Sequence, residues 1–197
     1  GGRAVVAAEL GGAVARWDTD TGLQRYRVGG PDWAILPHMI GVVVPRLSVF
    51  SADGGLLSLI SGPLIDTTTG ELRANLGRHR GATFSADGHK VAFHSQLQGG
   101  VIRFVETKTG ADVMRRDAPA GPGGRPAPFT NLRLRFNPAG SILWCGTGRA
   151  NLSLGQPGRL VAWKVPSGDE LFAIVPGSNA ITALAFSPDG RTVAVGG

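Results

Sequence analysis

Short apolar runs alternate with turn signals along the chain. The last segment shows this most clearly: residues 181–186 are apolar on both faces, residues 187–190 carry turn signals, and residues 191–196 predict a returning strand. Within the turn, Pro188 presets φ and Gly190 can take a positive φ. A strand that is apolar on both faces must be covered on both sides. The pattern therefore predicts small antiparallel sheets that stack against one another.

The start of the chain shows a second set of predicted strands. Its pattern predicts strands at residues 4–8, 13–18 and 23–28. The third of these is more polar, with Arg25 and Arg27 in alternation, as expected of a strand at a solvent-facing edge. Together the two segments predict a repeating unit of four strands.

Two short turn phrases recur between the apolar runs. The first is Phe-Ser-x-Asp-Gly, which begins at Phe50, Phe84 and Phe186, with a looser copy at Phe136. The second ends in Thr-Gly or Ser-Gly, at Gly22, Gly70, Gly110 and Gly168. Successive copies of the first phrase start 34, 52 and 50 residues apart. A period of roughly 40–50 residues made of turn signals between apolar runs predicts a repeated β architecture.

The repeats predict an all-β fold, a β-propeller with four-stranded antiparallel blades. At roughly 40–45 residues a blade, the 197 residues hold about four to five blades, and propellers close with about four to eight. We therefore expect part of a larger ring; a four-bladed ring and two half-rings from two chains are the alternatives. The expected units are a partial blade at 1–30, blades at 40–78, 79–118 and 128–176, and a partial blade at 177–197.

The formal net charge of +6 comes mostly from arginine, which supplies 17 of the 20 lysine and arginine residues. These residues are scattered, and the only tight groups are residues 78–80 and 115–116. A nucleic-acid surface needs a continuous basic stripe, ideally with aromatic platforms. The charge instead favours an acidic protein or peptide partner. No apolar run approaches the roughly 18 residues of a membrane helix, so no membrane insertion is predicted.

The turn phrases resemble those of the WD40-repeat family of β-propellers. The matching features are Phe-Ser-x-Asp-Gly after the innermost strand, Trp17-Asp18 at the end of the third strand and the x-Thr-Gly turn that follows. Residues 76–81 are similar to the Gly-His segment that opens a repeat, with one residue inserted. The resemblance covers nearly the whole chain. It implies a non-catalytic scaffold that offers a rigid end surface and a channel mouth to another protein or a peptide.

The repeats depart from the family pattern in three ways. The Trp-Asp pair survives once, and its expected equivalents are Ile65-Asp66, Phe104-Val105 and Trp163-Lys164. No repeat has the full His, Ser/Thr, Asp and Trp network of the family; His79 and Ser95 are expected to form part of one. The second repeat is short, which predicts stunted strands around Gly62-Pro63. These departures imply degenerate, bacterial-type blades held mainly by apolar packing.

The candidate partner-binding residues are aromatic, histidine and arginine side chains in predicted connectors or on the inner strand, since such residues anchor many interfaces. They are Trp33, His38, Arg78, His79, Arg80, Arg133, Arg135 and Arg149. For Trp33 and His38 the alternative is that they fill the seam between the first two blades. Arg133 and Arg135 share one face of a strand and are hypothesised to attract an anion or acidic peptide. The alternative for this pair is ion pairing with carboxylates of a neighbouring blade.

The sequence predicts no catalytic, metal or cofactor site. Residues 18–22 lack the ligands of a calcium loop, and the four histidines lack metal-ligand spacing. His89 is expected to be exposed and His94 to be a hydrogen-bonded structural residue. Cys145 lies among strand-like apolar neighbours, which predicts a buried, unreactive thiol.

The predicted function is a non-catalytic scaffold for protein or peptide partners. Two other classes stay open. A sensor or regulatory propeller could be fused to a catalytic domain, such as a protein kinase, outside this segment. A propeller-based enzyme, such as a quinoprotein or hydrolase, would need converging charged or histidine residues with a cofactor or metal, and the sequence shows neither.

Overall fold

The computed structural model describes residues 3–9, 12–33, 48–95, 100–119, 132–147, 157–177 and 179–197. These residues form seventeen strands and one short 3₁₀ helix, Pro31–Trp33. Every strand pairing is antiparallel, and the strands make five separate sheets. No helix in the described ranges is long and apolar enough to cross a membrane.

The five sheets follow one another along the chain and are named here as the first to fifth blades. The first contains β1 (Ala4–Ala8), β2 (Ala13–Asp18) and β3 (Gln24–Gly29). The second contains β4 (Ser48–Phe50), β5 (Leu56–Leu59), β6 (Pro63–Asp66) and β7 (Leu72–Asn75). The third contains β8 (His79–Phe84), β9 (Lys90–Ser95), β10 (Val101–Glu106) and β11 (Asp112–Asp117). The fourth contains β12 (Arg133–Phe136), β13 (Ile142–Gly146), β14 (Leu160–Lys164) and β15 (Glu170–Ile174), and the fifth contains β16 (Ala183–Phe186) and β17 (Val193–Gly196).

Each sheet is a simple meander, because strands that are adjacent in sequence are also adjacent in the sheet. The first strand of a blade, called here the inner strand, contacts the inner strand of the next blade: β4 meets β8, β8 meets β12, and β12 meets β16. The inner strands therefore surround a common axis and the blades radiate from it. This is the β-propeller arrangement, and it confirms the predicted fold class.

The core lies between neighbouring blades rather than within one sheet. Phe93 of the third blade packs with Leu64 of the second, whereas Phe104 packs with Leu134 and Leu143 of the fourth. The two phenylalanines are both fully buried although they lie in the same sheet. Full burial of one such side chain stabilises the fold by roughly 1.5–3 kcal/mol, so each blade depends on the neighbours that cover its two faces.

The second blade has the short strands that the sequence predicts. Its middle strands, β5 and β6, have four residues each, against six in β9 and β10. The turn that joins β5 to β6 contains Gly62, with φ at +130°, and Gly62 accepts a hydrogen bond from the Leu76 amide at 2.8 Å.

The expected equivalence of Phe104-Val105 with Trp17-Asp18 is wrong by one residue. A β-bulge separates Phe104 from Val105 in the third blade, as one separates Arg16 from Trp17 in the first. After the bulge, the Glu106 amide donates across its turn as the Asp18 amide does. The structural equivalent of Trp17-Asp18 is therefore Val105-Glu106, as the equal spacing to the turn glycines Gly22 and Gly110 also gives.

Candidate functional site

The two ends of the propeller are built from different connections. Thr67 Oγ1 donates to the Gly54 carbonyl at 2.5 Å, and Thr107 Oγ1 donates to the Gly88 carbonyl at 2.8 Å. These bonds join the turn between the first and second strands of a blade to the turn between its third and fourth strands. Both turns therefore lie at one end, called here the turn end. The opposite end, where the inner strand of each blade begins and its second strand ends, is called here the connector end.

The Phe-Ser-x-Asp-Gly turns at the turn end are closed by their own polar side chains. Ser85 Oγ donates to Asp87 Oδ1 at 2.5 Å and accepts the Lys90 amide at 3.0 Å, while Asp87 accepts the His89 amide at 2.9 Å. The copies that begin at Ser51 and Ser187 form the same bonds. The serine hydroxyl bond, followed by the amide bond, lowers the pKa of Asp87. These carboxylates thus stabilise the turns by accepting hydrogen bonds within them.

In the looser copy of the phrase, which begins at Phe136, a single side chain closes the turn. Asn137 Oδ1 accepts the amides of both Ser141 and Ile142 at 2.9 Å. In the other copies these two amides go to the aspartate and the serine, respectively. One asparagine therefore replaces a serine and an aspartate, which explains why Ala139 can occupy the aspartate position.

The third-to-fourth strand turns hold their acidic residues in a similar way. Asp18 accepts the Thr21 amide at 3.0 Å and pairs with Arg25 at 2.7 Å. The Arg25 bond is the largest of the effects that lower the pKa of Asp18 to about 2. Asp66 pairs with Arg73 at 2.6 Å in the equivalent position of the second blade. Among the described residues no group of three or more His, Cys, Asp or Glu side chains is placed to hold a metal ion.

Two arginines occupy equivalent positions on neighbouring inner strands at the connector end. Arg80 of β8 pairs across the sheet with His94, and Arg133 of β12 pairs with Gly146 in the same row of the next blade. A bulge between Arg80 and Thr83 accommodates the residue that the sequence shows as inserted. The two strands are in contact, so both arginines lie at the connector-end mouth of the space that the inner strands surround.

These two arginines differ in their bonding. Arg133 is half-buried, and its Nε donates to the Thr182 carbonyl of the fifth blade at 2.6 Å. Arg80 is also half-buried, but its buried Nε has no hydrogen-bond partner among the described residues. The ion pairs formed within the described ranges involve Arg25, Arg27, Arg73, Arg103 and Arg115, none of which lies on an inner strand. The inter-blade contact of Arg133 is thus with a backbone carbonyl and not with a carboxylate.

The other candidate residues occupy different surroundings. Trp33 is half-buried and packs on the apolar cluster between the first two blades, where its ring leaves no room for a Cβ on Gly29. Arg78 is half-buried just before β8. Arg135 is half-buried, and its NH1 donates to the Leu134 carbonyl at 3.2 Å. His38 and Arg149 lie outside the described residues.

His79 is buried and bonded across the blade boundary. Its Nδ1–H donates to the Gly77 carbonyl at 2.9 Å, so Nε2 accepts from the Ser58 hydroxyl of the second blade at 3.1 Å. The expected partnership with Ser95 is therefore replaced by one with Ser58. Burial lowers the pKa of His79 to about 4, which keeps the ring neutral near pH 7.

His94 is the residue at this end that sequence reasoning missed. It is 5% exposed, and neither ring nitrogen has a hydrogen-bond partner among the described residues. The hydrogen bond expected for His94 is therefore not found within that part of the chain, whereas His89 is exposed as expected. Only the cross-strand register reveals that His94 lies beside Arg80, and that register depends on the bulge. Cys145 is buried as predicted, and burial raises the pKa of its thiol.

The structure is similar to that of a known propeller. The β-propeller domain of Cps50 (Swd1) from Myceliophteria thermophila superposes with a TM-score of 0.66 at 19% sequence identity, and the match covers 98% of this chain. The chain spans 58% of that domain's length. No protein-family model and no curated protein matches the sequence. The fold, however, matches 855 solved chains, and it is that of a β-propeller.

Proposed function

We propose that this chain forms part of a non-catalytic scaffold whose connector end binds an acidic protein or peptide. The WD40 propeller fold is typically an interaction scaffold. The observation that carries the more specific proposal is a contrast between the two ends. Turn-end carboxylates such as Asp18, Asp66 and Asp87 are matched by donors of the chain itself. Arg80 at the connector end forms no ion pair with any described residue.

Electrostatics favours an acidic partner at this place. A half-buried guanidinium has lost part of its hydration, and a carboxylate brought by a partner replaces it with charge-assisted hydrogen bonds. Arginine is among the residues that most often carry binding energy at interface centres. The net charge of +6 also speeds the encounter with an acidic molecule.

Rigidity supports the same role. Arg133 is held by the Thr182 carbonyl of the next blade, so the orientation of its side chain is fixed before a partner arrives. Arginines that are already ordered lose less conformational entropy on binding. An inner-strand arginine on a stacked sheet is therefore a better anchor than one on a free loop.

The non-catalytic assignment rests on the surroundings of the titratable side chains. His79 is engaged by Ser58 and Gly77. Cys145 is buried, with the pKa of its thiol raised. Neither is placed as a nucleophile or a base at a surface. A regulatory propeller attached to a catalytic domain would use the same connector-end surface, so the binding proposal holds for either arrangement.

Selection from a random peptide display library against the full-length protein tests the proposal. We expect the selected peptides to be enriched in Asp and Glu. The double variant Arg80→Met and Arg133→Met should weaken their binding at least tenfold, because it removes both inner-strand charges but keeps the side-chain length.

The matched control is Arg25→Met with Arg73→Met, which removes the same charge from the turn end. These variants should change peptide affinity less than twofold at 150 mM salt. The proposal fails if the selected peptides carry no acidic bias, or if the control pair weakens binding as much as the inner-strand pair.

A further inference from the structure

We infer that Arg80 and His94 form a specific pocket for one carboxylate of the partner, at the connector end of the seam between the third and fourth blades. The inference rests on the proposed function and assigns the binding of one carboxylate to two side chains of the connector end. Arg80 and His94 are direct cross-strand partners on β8 and β9, so their side chains project from the same face of the sheet.

The surroundings place this face toward the fourth blade. His94 is in register with Ile102, and Ile102 belongs to the apolar cluster that contains Leu132 and Leu134 of the fourth blade. Next to Arg80, a Cβ added to Gly81 would lie 3.0 Å from the Leu132 carbonyl. The pair therefore lies where apolar packing between the two blades gives way to the channel mouth.

Both side chains have polar atoms that the described chain leaves unused. Arg80 Nε and both ring nitrogens of His94 are buried without a hydrogen-bond partner among the described residues. Buried polar groups are almost always bonded in native proteins, because an unsatisfied one costs about 1–3 kcal/mol. The Arg80 Nε–H and the single N–H of a neutral His94 ring are thus two donors on paired residues. They indicate a site whose acceptor is not part of the described chain.

The chemistry of the two side chains selects an anion. The guanidinium only donates hydrogen bonds and always carries its charge, and a neutral imidazole donates one. The oxygens of one carboxylate can accept the Arg80 Nε–H and a His94 N–H together, and their charge compensates the arginine. Burial and the nearby Arg80 lower the pKa of His94, which keeps the unoccupied site from carrying two positive charges.

Three probes applied to the full-length protein test the pocket: a short Glu-rich peptide, the same peptide with Gln for Glu, and inorganic phosphate. Binding is followed by titration and by the NMR signals of the His94 ring. The Glu peptide should bind saturably and shift these signals, and the Gln peptide should bind at least tenfold more weakly. Phosphate binding at least tenfold tighter than the Glu peptide would overturn the carboxylate assignment.

Variants separate recognition from a structural role. Arg80→Met and His94→Leu should each weaken Glu-peptide binding at least tenfold, while leaving the melting temperature unchanged or raised, because an unsatisfied polar group has been removed. His94→Gln retains an N–H donor and should keep affinity within threefold. Arg73→Met, which removes one arginine charge at the turn end, is the control and should change affinity less than twofold.

The pocket is refuted if Arg80→Met and His94→Leu lower the melting temperature by several degrees and leave Glu-peptide affinity intact. It is also refuted if the His94 signals do not move on saturation. If Arg133→Met abolishes binding while Arg80→Met and His94→Leu do not, the pocket fails and the connector-end scaffold stands. If acidic peptides do not bind at all, both fail.

Discussion

At the residue scale, single polar side chains decide which turns close and which groups stay unsatisfied. The sequence predicts the Phe-Ser-x-Asp-Gly turns because their signal is local: the serine and aspartate bond to amides no more than five residues away. It does not predict the environment of His94, since its neighbour Arg80 is fourteen positions earlier in the chain and is brought beside it by sheet register. The sequence therefore predicts hydrogen bonds between residues close together in the chain, but not contacts between side chains on neighbouring strands.

The Asn137 turn gives a double-mutant test. Asn137→Ser should lower the free energy of unfolding by about 1 kcal/mol, because the Ser141 amide loses its acceptor. Adding Ala139→Asp should restore most of that loss, since the turn then has the serine and aspartate of the other copies. Ala139→Asp alone is the control and should be nearly neutral. Denaturant unfolding measures all three variants, and a double variant no more stable than Asn137→Ser would contradict the bonding scheme.

His79 should make stability depend on pH. The unfolded chain binds a proton below about pH 6.5 but the folded ring binds one only near pH 4, so stability falls as the pH falls through that interval. At about 1.4 kcal/mol per pH unit, the His79 contribution is roughly 3 kcal/mol. His79→Gln should therefore flatten the dependence of unfolding free energy on pH between 6.5 and 4.

The wild-type protein measured over the same pH range provides the comparison. Equal slopes for the wild type and His79→Gln would show that burial of the His79 ring does not control its protonation.

At the element scale, the sequence predicts strands well and their exact alignment poorly. The predicted strands at 4–8 and 13–18 coincide with β1 and β2, and the short second blade is confirmed. The bulges after Arg80 and Phe104 each shift the register by one residue, and only the paired strands show where the shift occurs. The unit limits at 40 and 128 fall outside the described residues and stay predictions.

Two turn glycines with nearly the same backbone conformation test the packing between blades. Gly110 has φ at +72°, and a Cβ there would lie 2.8 Å from the Cβ of Ala74 in the second blade. Gly54 has nearly the same φ, +74°, but open space around its Cβ position. Gly54→Ala should cost about 1–2 kcal/mol from backbone strain alone. Gly110→Ala should cost about 1–3 kcal/mol more, because of overpacking.

Thermal and denaturant unfolding of the two variants measures this difference directly. Since the backbone term is shared, the difference between them isolates the contact of the turn with the preceding blade. Equal losses in the two variants would mean that the blades do not pack as closely as the fold requires.

At the scale of the whole molecule, the two ends of the propeller differ in how far their charges are satisfied. Turn-end carboxylates are held by hydrogen bonds and arginines of the same blade, and this order follows from the repeated turn phrases. The connector end carries inner-strand arginines that bond to a backbone carbonyl or have a buried nitrogen without a described partner. The fold alone does not assign a partner, since it is shared by many solved chains. The acidic partner proposed above rests instead on this difference between the two ends.

The most direct test of this account is a crystal structure of the full-length protein with an acidic peptide selected against it. We predict that a peptide carboxylate lies within hydrogen-bond distance of Arg80 at the connector-end mouth, with Arg133 beside the peptide. A peptide bound at the turn end, or along the outer strands with Arg80 unoccupied, would contradict the account.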